Sequence, residues 1–250
     1  MTETLFVSDV HLAPERPALL ALFTQFLATR ARHAAQVYFL GDLFDRWIGD
    51  DDPTPDYQAV IAQLRALRDH GTQCYLMSGN RDFLLGRRFM HAAGCQPIPD
   101  PAIIVVAGER VLLSHGDHLC TDDLAYQRFR RRVRHPLVQW LFLLQPLARR
   151  QQIARRYRQQ SQTATARKPT AIMDVNHHAV VAALTRHQSL RLVHGHTHRP
   201  ADHQLHVQGQ SAQRHVLAAW DDQRGEVLAT AQGNWWRESV DAVTGSKSAA

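Results

Sequence analysis

Five short apolar runs along the chain each stop at a polar cluster. Residues 5–7 run into Ser8-Asp9, 37–40 into Gly41-Asp42, and 74–77 into Ser78-Gly79-Asn80. Residues 111–113 run into Ser114-His115-Gly116-Asp117, and 190–193 into His194-Gly195-His196. Runs this short, built of Val, Ile, Leu, Phe and Tyr, predict buried strands. Between the first three, 17–31 carries Leu19, Leu20, Phe23, Phe26 and Leu27 at helical spacing. Residues 57–70 repeat the pattern with Val60, Ile61, Leu64 and Leu67 and stop at Gly71. Strand and helix alternate, which predicts an α/β sheet with helices on its faces. Ligand groups in such sheets gather where strands end and loops begin. All five polar clusters sit there.

Two regions break the alternation. Residues 120–168 are rich in Arg, Gln, Ala and Leu and fall between two strand-end motifs, so they are read as a helical insertion, a lid over the site. The core is then 1–119 and 169–236. The Gly-, Ser- and Ala-containing tail, 237–250, is read as disordered. Apolar residues at 44% and charged ones at 21% exclude a disordered or membrane-spanning chain. The N-terminal residues lack the pattern of a signal peptide, and three widely spaced cysteines make no disulfide framework or zinc knuckle; both suit a reducing cytosol. Charge sharpens the picture of the insertion. Twelve Lys or Arg against two Asp give 120–168 a local charge of +10, leaving the rest at −4 out of a formal +6. A basic segment on a mildly acidic body implies an anionic partner.

The strand-end clusters hold seven side chains suited to metal: Asp9, His11, Asp42, Asn80, His115, His196 and His198. Asp9 and His11 are two apart, as are His196 and His198. In extended backbone such pairs point to one side and can reach one ion. Two ions sharing Asp42 would use the seven fully, and neighbouring glycines let the backbone pass close. Turn formation explains the Asp and Gly but not the recurrence of His at four positions.

Asp9-x-His11, Gly41-Asp42-x-x-Asp45, Gly79-Asn80, Ser114-His115-Gly116-Asp117 and Gly195-His196-Thr197-His198 together resemble the calcineurin-like metallophosphoesterases. The resemblance runs from residue 5 to about 200. It implies a four-layer αββα sandwich around two metals, with Asp9, His11, Asp42 and His198 on one ion and Asp42, Asn80, His115 and His196 on the other. Nitrogen and oxygen donors without sulfur suit Mn²⁺. Paired ions would clamp phosphoryl oxygens and activate a water, making Asp42, Asn80, Arg81, His115 and His196 the catalytic set. Asp45 and Asp117 are candidates to fix His tautomers, with helix capping or turn stabilisation as the other reading. One departure is informative. The family usually has His after Gly-Asn, able to donate a proton to the leaving group; here the residue is Arg81, which cannot. An enzyme of this kind needs a good leaving group, which points to a diphosphate bond.

Residues 79–83, 120–123, 171–176 and 195–200 resemble one branch of that family, the diphosphatases of UDP-linked diacylglucosamine. That resemblance implies hydrolysis to the lipid 1-phosphate and UMP at the cytoplasmic face of the Gram-negative inner membrane. It also implies substrate contacts at Asn80, Arg81, Asp123, Ser161, Thr165, Lys168 and His196. Position 165 departs, since better-known members carry Asn there. In the insertion, Leu137, Val138, Trp140, Leu141, Phe142, Leu143, Leu144 and Leu147 crowd a segment broken by Pro146, too short to span a bilayer. It reads as a membrane-interface patch, a lining for acyl chains, or an ordinary core helix of the lid. Two rivals share the motifs. A nuclease or phosphodiesterase would use the basic insertion for nucleic acid, but the insertion offers aliphatic residues rather than interleaved aromatics for stacking bases, so no nucleic-acid partner is expected. A non-catalytic scaffold would be expected to have lost ligands.

Overall fold

The computed structural model describes residues 3–166, 168 and 170–242. In chain order the elements are β1 (Thr4–Val7), α1 (Pro17–Ala28), β2 (Gln36–Leu40), α2 (Pro55–Asp69), β3 (Gln73–Met77), α3 (Arg87–Ala93), β4 (Gln96–Pro97), β5 (Ala102–Val106) and β6 (Glu109–Ser114). Three helices follow, α4 (Leu124–Val133), α5 (Pro136–Leu143) and α6 (Leu147–Ala166), then α7 (His177–His187) and β7 (Arg191–His194). The chain closes with β8 (Ala201–Val207), β9 (Gln210–Val216), β10 (Arg224–Ala231) and β11 (Asn234–Asp241).

The strands form two sheets, ordered β11-β10-β1-β2-β3-β4 and β5-β6-β7-β9-β8. Strands β1 to β4 run parallel, as do β6, β7 and β9. The alternation of side chains along each strand sorts the apolar residues into three interlayer cores. Leu5, Val7, Val37 and Phe39 pack outward under α1 and α2 against Leu19, Phe23, Phe26, Val60 and Leu64. Phe6, Tyr38, Leu40 and Met77 turn inward to meet Val111, Leu113 and Val193 of the facing sheet. Leu112 and Leu192 face the other way, under Val180 and Leu184 of α7. Helix, sheet, sheet and helix thus stack as the expected four layers.

Helix α1 ends at Ala28, three residues short of expectation, and a 3₁₀ turn spans Ala31–His33. Residues 237–241 correct the expected tail. Arg237 to Asp241 belong to β11, paired with β10. Arg237 is held there by Glu226 and Asp202, both at 2.6 Å. The remainder of that expectation, 243–250, lies outside the described residues.

Helices α4 and α5 bury none of their residues. On α5, Leu137, Trp140 and Leu141 are exposed, with Trp140 at 57%, which removes the reading of α5 as an ordinary core helix. What fixes the insertion is polar. Arg150 of α6 is 2% exposed and donates to Ile48 O at 2.6 Å and to both Asp51 carboxylate oxygens. A side chain on Gly49 would strike that guanidinium at 2.3 Å. Arg134, which caps the C-terminal end of α4, donates to Gly79 O at 2.8 Å, so the insertion also touches a strand-end loop directly.

Candidate active site

The parallel strands deliver their C-terminal loops to one end of the sandwich, and backbone bonds tie those loops together. Asp9 N donates to Gly41 O at 3.1 Å, His11 N to Asp42 O at 3.0 Å, and Gly195 N to His115 O at 3.0 Å. The two sheets are joined there as well. His115, after β6, donates from Nδ1 to Leu40 O at the end of β2, 2.9 Å away. A carbonyl only accepts, so this bond fixes the tautomer and leaves Nε2 facing the site. Gly79 must lack a side chain, because a Cβ would meet Asp42 Oδ1 at 2.2 Å.

All seven expected residues converge. His11 Nε2 lies 3.1 Å from His198 Nε2, and His198 Nε2 lies 3.3 Å from Asp9 Oδ1. Asp42 stands between two groups, its Oδ2 3.9 Å from His11 Nδ1 and its Oδ1 3.8 Å from His115 Nε2. Asn80 Oδ1 sits 2.9 Å from His115 Nε2 and 2.8 Å from His196 Nδ1. The local backbone differs from expectation. Asp9, His11, His196 and His198 are not extended: their φ values are 55°, 56°, 69° and 54°, and Asp42 follows at 53°. The pairs converge through left-handed turns, a conformation that costs a non-glycine residue about 1–3 kcal/mol and is stored where function needs it.

The donor set fits divalent cations. Among the described residues, Asp9 Oδ1 and His11 Nδ1 are buried without a hydrogen-bond partner, and imidazole nitrogens face each other or a carboxylate. Asp9, His11 and His198 offer donor atoms within 4.8 Å of one another, and so do Asp9, Asp42 and His115. Electrostatics agree. Burial opposes charge on His115, yet Asp42, Asp9, Asp117 and Asp100 together pull it up to about 9. Burial pushes the Asp42 carboxyl up to about 7 against the pull of His115, and it pushes His196 down to about 4, keeping that ring neutral. The cluster is electron-rich and holds a proton on His115 where a cation is wanted. A cation must expel that proton below pH 9, so affinity should fall by up to about tenfold per pH unit as pH drops. Mn²⁺ titration calorimetry from pH 6 to 9 in buffers of different ionisation enthalpy should show proton release. An affinity flat across that range would count against this electrostatic picture.

Asp45 and Asp117 take neither expected role. Asp45 Oδ1 accepts from Arg81 Nη1 at 2.6 Å and from Arg158 Nη2 at 2.7 Å, gathering two guanidiniums beside Asp42. Asp117 Oδ2 accepts from Tyr126 at 2.8 Å and Arg130 at 2.7 Å, both on α4. Of the expected substrate residues, Asp123 and Lys168 meet in an ion pair, and Asp123 also caps α4 through Tyr126 N at 3.0 Å. Ser161 is exposed on α6, and the side chain of Thr165 lies outside the described residues. Three functional positions escaped the sequence. Asp82 is wholly buried and binds both metal-side loops, accepting from Gly79 N and Leu43 N at 2.7 Å each; its only signal was its place in Gly79-Asn80-Arg81-Asp82. Tyr126 stacks on His196 at 5.8 Å, and Arg158 was one charge among twelve.

The sequence profile of calcineurin-like phosphoesterases matches residues 3–200. The chain belongs to that family. Calcineurin-like phosphoesterases use divalent metals, in keeping with the clustered donors. Proteins called UDP-2,3-diacylglucosamine hydrolase from Escherichia coli O7:K1, Escherichia fergusonii and Shigella boydii serotype 18 are each 50% identical to this phosphoesterase. Each match spans 228 residues, 91% of this chain and 95% of theirs.

Proposed function

We propose that this phosphoesterase hydrolyses the diphosphate of UDP-2,3-diacylglucosamine to 2,3-diacylglucosamine 1-phosphate and UMP. The observation that supports it most is the 50% identity, over nearly the whole of both chains, to proteins bearing that activity's name. Asp9, His11, Asp42 and His198 would hold one divalent ion, and Asp42, Asn80, His115 and His196 the other. Such a pair supplies Lewis-acid charge and a water of lowered pKa. The nitrogen and oxygen donors favour Mn²⁺.

The protein's own groups do the rest. Arg81 donates its backbone N–H to Asp42 Oδ1 at 2.8 Å and holds its guanidinium 3.4 Å from Asp42 Oδ2. With Arg158 beside it on Asp45, two guanidiniums would stabilise the charge that a transferring phosphoryl group gains. Neither can give up a proton, so the leaving group must depart unprotonated; the phosphate of UMP or of the lipid does so and an alkoxide does not. Asn80, His196, Asp123, Ser161, Thr165 and Lys168 complete the set we assign to substrate. The exposed apolar residues of α5 lie among arginines of α4 and α6. They suit acyl chains and an anionic membrane surface, which supports a peripheral position at the cytoplasmic face of the inner membrane. No helix of the described residues is long and apolar enough to cross a membrane.

The test is UMP release from UDP-2,3-diacylglucosamine with added Mn²⁺. Release abolished by chelator is expected; no release, alongside good activity on a simple phosphodiester, overturns the substrate assignment. Arg81→Ala should lower kcat by about 10²-fold, the usual effect of losing one charge-stabilising donor. Unchanged turnover would remove Arg81 from the chemistry.

A further inference from the structure

A cavity of about 240 Å³ opens beside the metal-side loops, lined by Asp174, Thr197, Arg199, His203 and Arg214 among others. None of its lining residues comes from α4, α5 or α6. Its wall includes Thr197, the residue between His196 and His198, whose hydroxyl is buried without a hydrogen-bond partner among the described residues. Arg214 is half-buried and is aimed by a specific relay. His194 donates from Nδ1 to Gly195 O at 2.8 Å, so its Nε2 can only accept, and Arg214 Nη1 lies 3.3 Å from it. Among the described residues, Arg214 has no hydrogen-bonded carboxylate partner. A half-buried guanidinium whose counter-charge, Asp174, faces it across the cavity without a hydrogen bond has donors to offer a ligand's acceptors. Across the cavity, Asp174 Oδ2 accepts from Arg199 Nη1 at 3.3 Å and offers acceptor capacity to a ligand's hydroxyl or imide N–H.

We infer that this cavity is the subsite for the nucleoside half of the substrate, taking the ribose and pyrimidine of the departing nucleotide. The inference rests on the proposed substrate, whose two halves need opposite surroundings. The acyl half matches the apolar α5. The nucleoside half needs donors for two ring carbonyls and acceptors for hydroxyls and the imide N–H, which Arg214 and Asp174 supply. Its position next to His196 and His198 puts the nucleoside within one phosphate of the metal-side cluster. The lid and this cavity then divide the substrate at its scissile diphosphate.

The experiment is calorimetric titration of the full-length, Mn²⁺-loaded protein with UMP and with ribose 5-phosphate, beside steady-state kinetics on UDP-2,3-diacylglucosamine. Arg214→Met and Asp174→Asn should each weaken UMP binding about tenfold, the effect of one lost hydrogen bond to a charged group. KM should rise by a similar factor, with kcat changed little and inhibition by the lipid 1-phosphate unaltered. Ribose 5-phosphate, lacking the base, should bind the native protein and the Arg214→Met variant alike. Because Arg214 braces His194, His203→Ala, at an exposed position, serves as a second probe should Arg214→Met not fold. Native hydrolysis with UMP affinity and KM unmoved in all variants overturns the subsite and leaves the proposed activity standing. No native hydrolysis, with UMP binding still dependent on Arg214 and Asp174, keeps the nucleotide subsite and overturns the substrate.

Discussion

Asp42→Ala is expected to lower UMP release by about 10³-fold or more, because it removes the carboxylate proposed to serve both ions. Its two oxygens face His11 on one side and His115 on the other, at 3.9 and 3.8 Å. Asp9 is the neighbouring carboxylate, and its Oδ2 already receives Ser8 Oγ and His196 N, at 2.7 and 2.8 Å, which leaves it one oxygen where Asp42 offers two. Bound manganese, measured by elemental analysis after gel filtration, should drop along with activity. The fold should not suffer. Burial raises the Asp42 carboxyl to about 7, so its ionised form opposes folding above the ordinary carboxyl range, and increasingly as pH rises towards 7. At pH 8 the metal-free Asp42→Asn protein should therefore melt no lower than the metal-free native protein. Activity within tenfold of native in either variant would break the two-metal reading.

Asp82→Ala carries the largest expected loss of stability. The carboxylate is wholly buried and accepts four backbone N–H groups, from Gly79, Asp42, Leu43 and Phe44, at 2.7, 3.3, 2.7 and 3.4 Å. Removing it strands donors in a water-free interior, at about 3–5 kcal/mol in all. Asn is no remedy, since its NH₂ would turn two donors against the Leu43 and Phe44 N–H groups or the Gly79 and Asp42 ones. Urea unfolding should show both variants displaced to lower midpoints with an unchanged slope. Metal affinity should fall too, because Asp82 sets Asp42 and Asn80 in register. A midpoint within 1 kcal/mol of native, a threshold near ordinary surface substitutions, would show that the loops hold without it.

The strand ends were legible because short β-rich runs ending in Asp, Asn, Gly and His leave few other readings. Phe6 and Leu40 against Leu5 and Phe39 also divide cleanly between two cores once the sheets are paired. What stayed illegible was long-range or conformational. The left-handed turns at Asp9 and His198 leave no mark in composition, since those positions hold ligands and not glycine. Asp45 finds its partner Arg158 over a separation of 113 residues, and sequence spacing says nothing about which of twelve cations arrives. Strands β8 to β11 passed unread because much of β8 and β11 is exposed, so the apolar alternation is thin. Arg237 was assigned to a loose tail although the two tryptophans before it begin a strand whose other residues are mostly polar.

The insertion begins and ends at one place. Asn176, at the start of α7, donates its backbone N–H to Leu119 O at 2.9 Å and its side chain to Asp122 at 2.9 and 3.0 Å. This stitch closes the base of a segment more than fifty residues long, so the sandwich beneath is complete without crossing through it. Closing a loop costs little more when the loop grows. Length above the stitch can therefore drift where α5 faces outward, while Arg134 on Gly79 O and Arg158 on Asp45 tie the rest to the metal-side loops. The chain is modular in the engineering sense. Replacing α5 and its flanks, with Tyr126, Arg130, Arg134 and Arg158 kept, would redirect the same phosphoryl chemistry to a different partner while the contacts of the cassette to the centre stay in place.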